Sequence, residues 1–402
     1  MKAKILFIGL TLLSVLSAKA QLVEHQVLPS TTDSNINGNN PPHYAYLNNS
    51  VNQINKLLLF IPGTNATPWD YRMFQQTAAN LGYHSIGLTY ENLQSINIQI
   101  CPATQDPTCH GRARREVWFG EDTHDSISVN YNNSIINRFL KLLKYLDTNY
   151  PTENWGQYLV NDTTVNWQSV VIAGHSQGAG HATFGSKFFE MDRVIMLSWV
   201  DWMWPGTNPL WITQTGQTPD SAYFGFIHTG DASIYSGIPT TWTNLGMNPF
   251  GSITNIDSIS PPYTNSHSLI TSAPINQSPT QTNYHNATCV DWVTTITTSG
   301  DTLYKPVWEY LLGYVNPVSS VDDNFLSQNE IKIFPNPSRS TISFSSGIIK
   351  EPFDVRIYNI NGSLVKQESN QTIIDISQFP NGLYFLRIQN DKGITVQKFI
   401  KQ

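Results

Sequence analysis

The sequence predicts an α/β unit built on a doubly wound, mostly parallel β-sheet, followed by a small all-β sandwich. Between Leu57 and about Tyr314, short continuous apolar runs alternate with helical patterns, which is typical of strands buried on both faces. After Tyr314 the pattern changes to short alternating segments divided by turn residues. A chain of 402 residues is long enough for one large domain and one small one.

The elements of the α/β unit follow from the length and spacing of its apolar runs. A run of about four to eight apolar residues bounded by turn residues predicts a buried strand, and apolar residues at helical spacing predict a helix. The predicted strands are 57–61, 85–90, 169–173, 193–200, 223–228 and 269–273. The predicted helices are 73–81, 127–149, 180–190 and 289–296.

The C-terminal part is predicted as a sandwich because its strands are short and its turns contain Asn-Gly pairs, at 361–362 and 381–382. A polar, Pro-containing stretch before it is typical of a linker. The predicted strands are 331–334, 341–344, 354–358, 373–376, 383–388 and 395–400. The resulting boundaries are a main domain over 21–315, a linker over 316–330 and a tail domain over 331–402.

Charge separates the same two parts of the chain. Only 13% of the residues are charged, and the formal net charge is −6. Residues 21–330 carry a net −13, whereas residues 331–402 carry a net +4. The negative balance and the lack of Lys/Arg blocks argue against a nucleic-acid partner. The opposite signs indicate two domains with different roles.

The N-terminus has the pattern of a secretory signal peptide over residues 1–20. Lys2 and Lys4 precede an apolar run at 5–16, and Ala18-Lys19-Ala20 provides the small residues of a cleavage site. The run is shorter than the about 20 residues that a membrane-spanning helix needs. We therefore expect an exported protein with no integral membrane segment after signal removal.

Three cysteines are present, and two of them are close in the sequence. Cys101 and Cys109 flank a Pro-containing loop and are able to pair in an oxidising compartment. Cys289 is then free and is expected to be buried. The spacing does not suit zinc, so no metal site is predicted.

The motif with the most specific chemistry is Gly174-His175-Ser176-Gln177-Gly178. It lies directly after a predicted strand and before a predicted helix, which is the context of a G-x-S-x-G nucleophile elbow. Such a turn exposes the serine hydroxyl at the end of the sheet. The backbone N–H of Gln177 then points towards the same space and is a candidate oxyanion donor.

A second oxyanion donor is expected from the loop after an earlier strand. Pro62-Gly63-Thr64-Asn65 follows the predicted strand 57–61. We favour the N–H of Thr64, because the residue after the glycine normally fills this role; Asn65 is the rival donor, and an ordinary β-turn is the structural alternative.

Two aspartates are candidates for the acid of a catalytic triad. Asp231 follows the predicted strand 223–228 within His228-Thr229-Gly230-Asp231, and Asp201 follows the strand before it. We favour Asp231 because a turn glycine beside it fits the loop at a strand end. Asp201 remains the alternative acid, and either residue has the simpler interpretation of a helix cap.

Only histidines that follow the acid in the chain fit the order Ser, Asp, His. His285 lies after the predicted strand 269–273, where the catalytic histidine is expected. His267 precedes that strand and should lie at the opposite end of the sheet. We favour His285, and a structural role is the alternative for His267.

These residues predict a serine hydrolase that forms an acyl-enzyme and needs no metal or cofactor. The favoured substrate is a small or polymeric carboxylic ester, and five tryptophans at 199–242 form either an aromatic wall for it or a packed cap. The alternatives are an amidase or peptidase, a polyester depolymerase, and a non-catalytic surface binding protein on the same fold. Nothing in the sequence chooses the substrate.

Residues from about 50 to 315 resemble the α/β-hydrolase superfamily. The resemblance rests on the elbow, on Pro62-Gly63-Thr64 and on the order of the three triad candidates. The phrases Ala173-Gly-His-Ser-Gln-Gly-Ala-Gly180 and Phe226-Ile-His-Thr-Gly-Asp231 are similar to a bacterial branch that contains secreted esterases. The superfamily implies an acyl substrate without choosing ester or amide.

The tail resembles the C-terminal sorting domain of type IX secretion. The matching phrases are Phe334-Pro-Asn-Pro337, Val355-Arg-Ile-Tyr-Asn-Ile-Asn-Gly362, Leu383-Tyr-Phe-Leu-Arg-Ile388 and Lys398-Phe-Ile-Lys401. The resemblance implies passage through the periplasm and across an outer membrane, with the type IX secretion machinery as a partner. It implies a protein that is secreted or held at the cell surface.

Overall fold

The computed structural model describes residues 22–102, 104–199, 201–203, 206–314, 333–344, 352–360, 363–390 and 393–402. The predicted signal peptide 1–20 and the predicted linker 316–330 lie outside the described residues. The chain divides into two units, Met1–Val315 and Asn316–Gln402. Each unit has its own sheet system and its own apolar core.

The first unit is a mixed α/β structure with one large sheet. Its strands are β1 (Leu22–Val27), β2 (His43–Asn48), β3 (Leu57–Ile61), β4 (His84–Gly87), β5 (Leu159–Asn161), β6 (Thr164–Val165), β7 (Val170–His175), β8 (Arg193–Leu197), β9 (Tyr223–His228), β10 (Thr254–Asn255) and β11 (Ser268–Thr271). Strands β5 and β6 form a separate antiparallel pair. The other nine form a sheet in the order β1-β2-β4-β3-β7-β8-β9-β11-β10, in which β2 runs against the rest.

The central strands are apolar on consecutive residues because both faces of the sheet are covered. In β3, Leu57, Leu59 and Ile61 belong to one buried cluster, and Leu58 and Phe60 belong to another on the opposite face. Side chains alternate along a strand, so a continuous apolar run serves two cores at once. A mostly parallel arrangement brings the carboxyl ends of these strands to one edge, where the loops that follow them meet.

The helices lie on both sides of this sheet. They are α1 (Pro29–Thr32), α2 (Arg72–Asn80), α3 (Cys109–Phe119), α4 (Ile135–Asn149), α5 (Gln177–Gly185), α6 (Ala232–Asn244), α7 (Gln281–Asn286) and α8 (Lys305–Leu311). Helices α3, α4 and α5 contribute to the first core, which includes Trp118 and Phe139. Helices α2 and α8 contribute to the second core, where Phe74 and Trp308 pack edge to face.

Three predicted helices differ from the observed ones; the one predicted over 180–190 is observed as α5, which starts directly after Ser176 and ends at Gly185. The helix predicted over 127–149 begins only at Ile135, because Ser134 caps its N-terminus and accepts a hydrogen bond from the Asn137 N–H. The helix predicted over 289–296 is absent from the described structure, which has turns there. The carboxylate of Asp291 instead accepts hydrogen bonds from the first backbone N–H groups of α2, so tertiary contacts override the local pattern.

The C-terminal unit is an all-β structure of two sheets. Its strands are β12 (Ile333–Phe334), β13 (Thr341–Phe344), β14 (Asp354–Asn359), β15 (Leu364–Ser369), β16 (Ile373–Asp375), β17 (Gly382–Asn390) and β18 (Gly393–Lys401). One sheet has the order β12-β13-β16 and the other β15-β14-β17-β18. A single apolar cluster includes Ile342 of the first sheet and Leu386 of the second, as in a sandwich.

Candidate active site

Ser176 occupies a tight turn between β7 and α5 at the carboxyl edge of the sheet. Its φ of +52° and ψ of −126° are unfavourable for a residue with a side chain. A Cβ on Gly174 would lie 2.4 Å from backbone atoms of Gly178, and a Cβ on Gly178 would lie 2.0 Å from the carbonyl oxygen of Ile61. The turn therefore requires glycine at both positions.

The backbone around Ser176 offers two free N–H donors. Gln177 is the first residue of α5, and the first N–H groups of a helix have no intrahelical acceptor. In the loop after β3, the Asn65 N–H donates to the Asn92 carbonyl oxygen at 3.0 Å, whereas the Thr64 N–H has no acceptor among the described residues. Of the two candidates in this loop, the structure leaves the Thr64 donor available.

The structure brings Asp231 and His285 together. Asp231 is buried at the N-terminus of α6, three residues after β9 ends. The Nδ1–H of His285 donates to Oδ2 of Asp231 at 2.6 Å. His285 was expected in a loop, but it lies in the last turn of the short helix α7, which begins after the N-cap Thr280. With Nδ1 protonated, Nε2 of His285 is the acceptor.

Ser176 and His285 line the same cleft, and the Ser176 hydroxyl has no hydrogen-bond partner among the described residues. Hydrogen bonds between a nucleophile and its base are often long in the absence of substrate and shorten when substrate binds. The described geometry therefore contains the Asp231–His285 hydrogen bond of the arrangement, with the half-buried Ser176 in the same cleft.

Asp201 lies in a different environment. Its carboxylate accepts hydrogen bonds from Nη2 and Nε of Arg114 at 2.6 and 2.7 Å, and from Nε1 of Trp199 at 3.0 Å. Both charged side chains are fully buried. Burial alone would raise the pKa of Asp201, but the Arg114 guanidinium lowers it to about 2. The structure thus places Asp231, and not the alternative Asp201, against His285.

A buried chain of hydrogen bonds runs behind the nucleophile. The Gly63 N–H donates to the Tyr71 hydroxyl at 3.1 Å, and that hydroxyl lies 3.0 Å from Nδ1 of His175. Nε2 of His175 lies 3.0 Å from the carbonyl oxygen of His285. Because a carbonyl only accepts, Nε2 carries the proton of His175 and Nδ1 accepts from Tyr71. Burial lowers the pKa of His175 to about 3, so this ring is neutral.

His267 is remote from this constellation. Its ring is stacked between Phe224 and Phe250, with centroid distances of 3.8 and 4.9 Å, and its Nδ1 donates to the carbonyl oxygen of Tyr223 at 3.1 Å. Burial lowers its pKa to about 4. His267 is packed in the interior directly before β11. It therefore lies at the amino-terminal edge of the sheet, whereas Ser176 lies at the carboxyl edge.

The cleft over Ser176 consists of two adjoining cavities of about 640 and 360 Å³. Both volumes are within the range of small-molecule sites. Because residues of the candidate site line both cavities, the cleft continues on either side of the nucleophile. The shared lining residues are Thr64, Ser95, Ile98, Ser176, Thr282 and His285.

The segment that contains Ser95, Ile98 and Gln99 lines the cleft, and we call it the roof segment. It is held in place by a disulfide and by the residue after the nucleophile. Cys101 and Cys109 are bonded, directly after the helical turn Ile96–Ile100. The side chain of Gln177 accepts from the Ile96 N–H at 2.7 Å and donates to the Gln94 carbonyl oxygen at 3.0 Å. Cys289 is a free, buried thiol. Sequence reasoning paired the cysteines but did not connect their loop to the cleft.

Cys101, Cys109 and His124 form the one group of possible metal ligands found within the described part of the chain. The two sulfurs are joined in the disulfide, so neither is a thiolate that could bind zinc.

The tryptophans of the 199–242 region have different positions. Trp199, Trp211 and Trp242 are buried in the core, and Trp204 lies outside the described residues. Trp202 is 37% exposed and lines the smaller cavity. Sequence reasoning missed Trp292, which is 58% exposed and lines the larger cavity. The presence of a tryptophan seven residues after the candidate histidine was the signal in the sequence that could have indicated it.

Residues 332–402 match the family described as the secretion system C-terminal sorting domain. The C-terminal unit is a secretion sorting domain. This confirms the predicted sorting tail, and it identifies a protein that type IX secretion delivers to the cell surface or the extracellular space. Such a tail implies the secretion machinery as a partner. Across the described ranges, no helix has the length and apolar character needed to cross a bilayer.

No curated protein matches the chain. Among solved structures, it is similar to a crystal structure from Klebsiella pneumoniae subsp. pneumoniae MGH 78578, provisionally assigned as a dienelactone hydrolase. The identity is 12% and the TM-score is 0.35, over 73% of this chain and 98% of that one. A likeness at this level assigns neither fold nor activity to the first unit.

Proposed function

We propose that residues 21–315 form a catalytic domain of the α/β-hydrolase type, which acts outside the cell as a serine hydrolase on carboxylic esters. The observation that carries the proposal is the 2.6 Å hydrogen bond between His285 and Asp231, beside Ser176, which lines the same cleft on a strained turn. The chain order Ser, Asp, His and the strand-turn-helix context of Ser176 support it.

The reaction follows from the positions of these groups. Nε2 of His285 takes the proton of Ser176 as Oγ attacks the ester carbonyl, and Asp231 stabilises the imidazolium through Nδ1–H. The N–H groups of Gln177 and Thr64 stabilise the oxyanion, at about 3–4 kcal/mol of the barrier for each donor. His285 then donates its proton to the leaving alcohol. Water hydrolyses the acyl-enzyme by the same steps, with no cofactor.

The test is labelling of the purified secreted protein with a fluorophosphonate probe, combined with hydrolysis of p-nitrophenyl butyrate. We expect stoichiometric labelling of Ser176, and loss of both labelling and turnover in Ser176→Ala. Ser236→Ala is the matched control, because Ser236 is an exposed serine outside the cleft. Turnover retained in Ser176→Ala would contradict the mechanism.

The same triad could act on amides or on polyesters. Butyryl p-nitroanilide, compared with p-nitrophenyl butyrate, separates an esterase from an amidase because the two substrates share their acyl group. Polyester films separate a depolymerase. A protein that kept the fold as a surface binding module would give neither labelling nor turnover.

A further inference from the structure

The two halves of the cleft offer different chemistry. The smaller half presents the apolar side chains of Trp202 and Ile234, together with Ile98, which it shares with the larger half. Ile98 is 76% exposed, and Trp202 has more than a third of its surface free. An apolar group that entered this half would remove this surface from water, which is favourable at about 25 cal/mol per Å².

The charged side chains that line the smaller half already have partners within the protein. Two nitrogen atoms of Arg114 bind Asp201, and Nη1 of Arg114 donates to the Gln177 carbonyl oxygen at 3.2 Å. Asp231 is bound by His285. No charged side chain in this half is left free for a charged substrate group, so the half favours an uncharged, apolar one.

The larger half offers neutral polar groups and one carboxylate. The side chains of Asn65, Thr282 and Asn286 have no hydrogen-bond partner among the described residues, and all three line this half. Asp70 is the one carboxylate in its lining; its Oδ2 accepts hydrogen bonds from the N–H and hydroxyl of Thr67 at 2.8 and 3.2 Å, and its Oδ1, with no donor among the described residues, is left as an acceptor for a substrate hydroxyl. Free amides and hydroxyls bind neutral hydroxyl groups as donors and as acceptors.

Trp292 adds an exposed aromatic surface to the larger half. A flat ring beside amide side chains suits a group with an apolar face and a rim of hydroxyls, such as a sugar ring. A volume of about 640 Å³ holds a group of this size with room for a longer chain.

We infer that the substrate is an uncharged ester between an apolar acyl group and a neutral polyhydroxylated alcohol of the sugar type; this rests on the proposed function. A polyhydroxylated group enters an ester through one of its hydroxyls, so it is the alcohol half and occupies the larger cavity. The apolar acyl group then occupies the smaller cavity, with the ester carbonyl at Ser176.

The step balances with water as the only co-reactant. The bond between Ser176 Oγ and the acyl carbon forms as the bond from that carbon to the sugar oxygen breaks. His285 passes the serine proton to the sugar oxygen, which leaves as a hydroxyl. Water then adds to the acyl carbon, and a carboxylic acid and the free serine are produced.

The test compares kcat/KM for three esters: octanoylglucose, ethyl octanoate, which lacks the sugar, and acetylglucose, which lacks the long acyl chain. We expect octanoylglucose to exceed each of the others by about tenfold or more, because each truncated ester leaves one half of the cleft unfilled.

Two tryptophan variants test which half of the cleft binds the acyl group and which binds the sugar. Trp202→Ala should lower kcat/KM by about tenfold for the two octanoyl esters and by less than about threefold for acetylglucose. Trp292→Ala should lower kcat/KM for the two glucose esters and lower it less for ethyl octanoate. Trp69→Ala is the matched control, since Trp69 is 46% exposed but lies outside both cavities, and it should change no value by more than about twofold.

The outcomes separate the substrate from the function. Labelling of Ser176 with equal rates on all three esters, or the same effect of both tryptophan variants on every ester, overturns the substrate assignment alone. Absence of labelling and of all hydrolysis overturns the proposed function, and the substrate assignment with it.

Discussion

The carboxylate of Asp201 and the guanidinium of Arg114 form a fully buried ion pair with two hydrogen bonds of 2.6 and 2.7 Å. Arg114 also donates to the carbonyl oxygen of Gln177, the residue that follows the nucleophile. The pair therefore fixes the first residue of α5 through the hydrogen bond from Arg114, whereas Asp231 accepts a hydrogen bond from His285. Two aspartates that compete for one role in the sequence have separate partners in the fold.

Replacing each aspartate by asparagine should affect a different property of the protein: catalysis for Asp231 and stability for Asp201. Asp231→Asn should lower kcat by about 10⁴-fold with little loss of stability, because the histidine then takes the wrong tautomer. Asp201→Asn should lower the free energy of unfolding by about 3–5 kcal/mol, because Arg114 is left as an unpaired buried charge. Urea denaturation and p-nitrophenyl butyrate kinetics measure the two effects.

The control for this pair is Asp106→Asn. Asp106 pairs with Arg112 at 2.8 Å, but both side chains are more than 40% exposed. An exposed pair contributes about 0–1 kcal/mol, so this variant should be nearly silent. The assignment of the two aspartates is wrong if Asp201→Asn abolishes turnover in a protein that remains folded and Asp231→Asn does not.

The Arg114–Asp201 pair should also make stability depend on acid pH. The pKa of Asp201 is lowered from 3.8 to about 2 in the folded protein, so its stabilising contribution is complete above about pH 4 and is lost as the pH falls towards 2. The loss is about 2 kcal/mol. Denaturation curves from pH 5 to pH 2 should show a smaller decline for Asp201→Asn than for the wild type, and equal declines would contradict the lowered pKa.

Tyr71 should position the site through His175. Tyr71→Phe removes the acceptor of the Gly63 N–H and the donor to His175, whose other nitrogen holds the backbone of His285. We expect kcat to fall by about tenfold with KM nearly unchanged, because the oxyanion loop loses its contact with Tyr71, and His175, which contacts the backbone of His285 in α7, loses its Tyr71 donor. Steady-state kinetics on p-nitrophenyl butyrate measure the two constants separately.

Tyr83→Phe distinguishes positioning from general destabilisation. The Tyr83 hydroxyl is also buried and donates to the Leu312 carbonyl oxygen, but Tyr83 does not line the cleft. Both variants should lose about 1–3 kcal/mol of unfolding free energy. Equal losses of kcat in the two variants would show that Tyr71 has no particular role in positioning.

The disulfide should hold the cleft-lining turn Ile96–Ile100 in place, because Cys101 directly follows it. Replacing Cys101 and Cys109 together by Ala should lower the free energy of unfolding by about 2–3 kcal/mol, since the bond closes a short loop. It should also raise KM, because Ile98 on the adjacent turn lines both halves of the cleft. Cys289→Ala, at a free thiol outside the cleft, should leave KM unchanged. A double variant with unchanged KM would separate the disulfide from substrate binding.

Several elements could be predicted because their signals are local. Strand β9 has the predicted bounds, since its apolar run ends at a Gly-Asp turn. Helix α6 could not be predicted, because it contains Pro239, which locally argues against a helix. The segment 289–296 has a helical pattern but forms turns, since Asp291 binds the start of α2, more than 200 residues earlier in the chain.

The sequence by itself determined the two-part organisation, the sorting tail, and the serine at its turn, because turn glycines, apolar runs and family phrases are encoded in neighbouring residues. Only the tertiary structure decided which aspartate faces His285, which N–H of the oxyanion loop is free, and that Trp202 and Trp292 lie in opposite halves of one cleft. These relations join residues far apart in the chain, and they depend on which loops the parallel sheet brings to one edge.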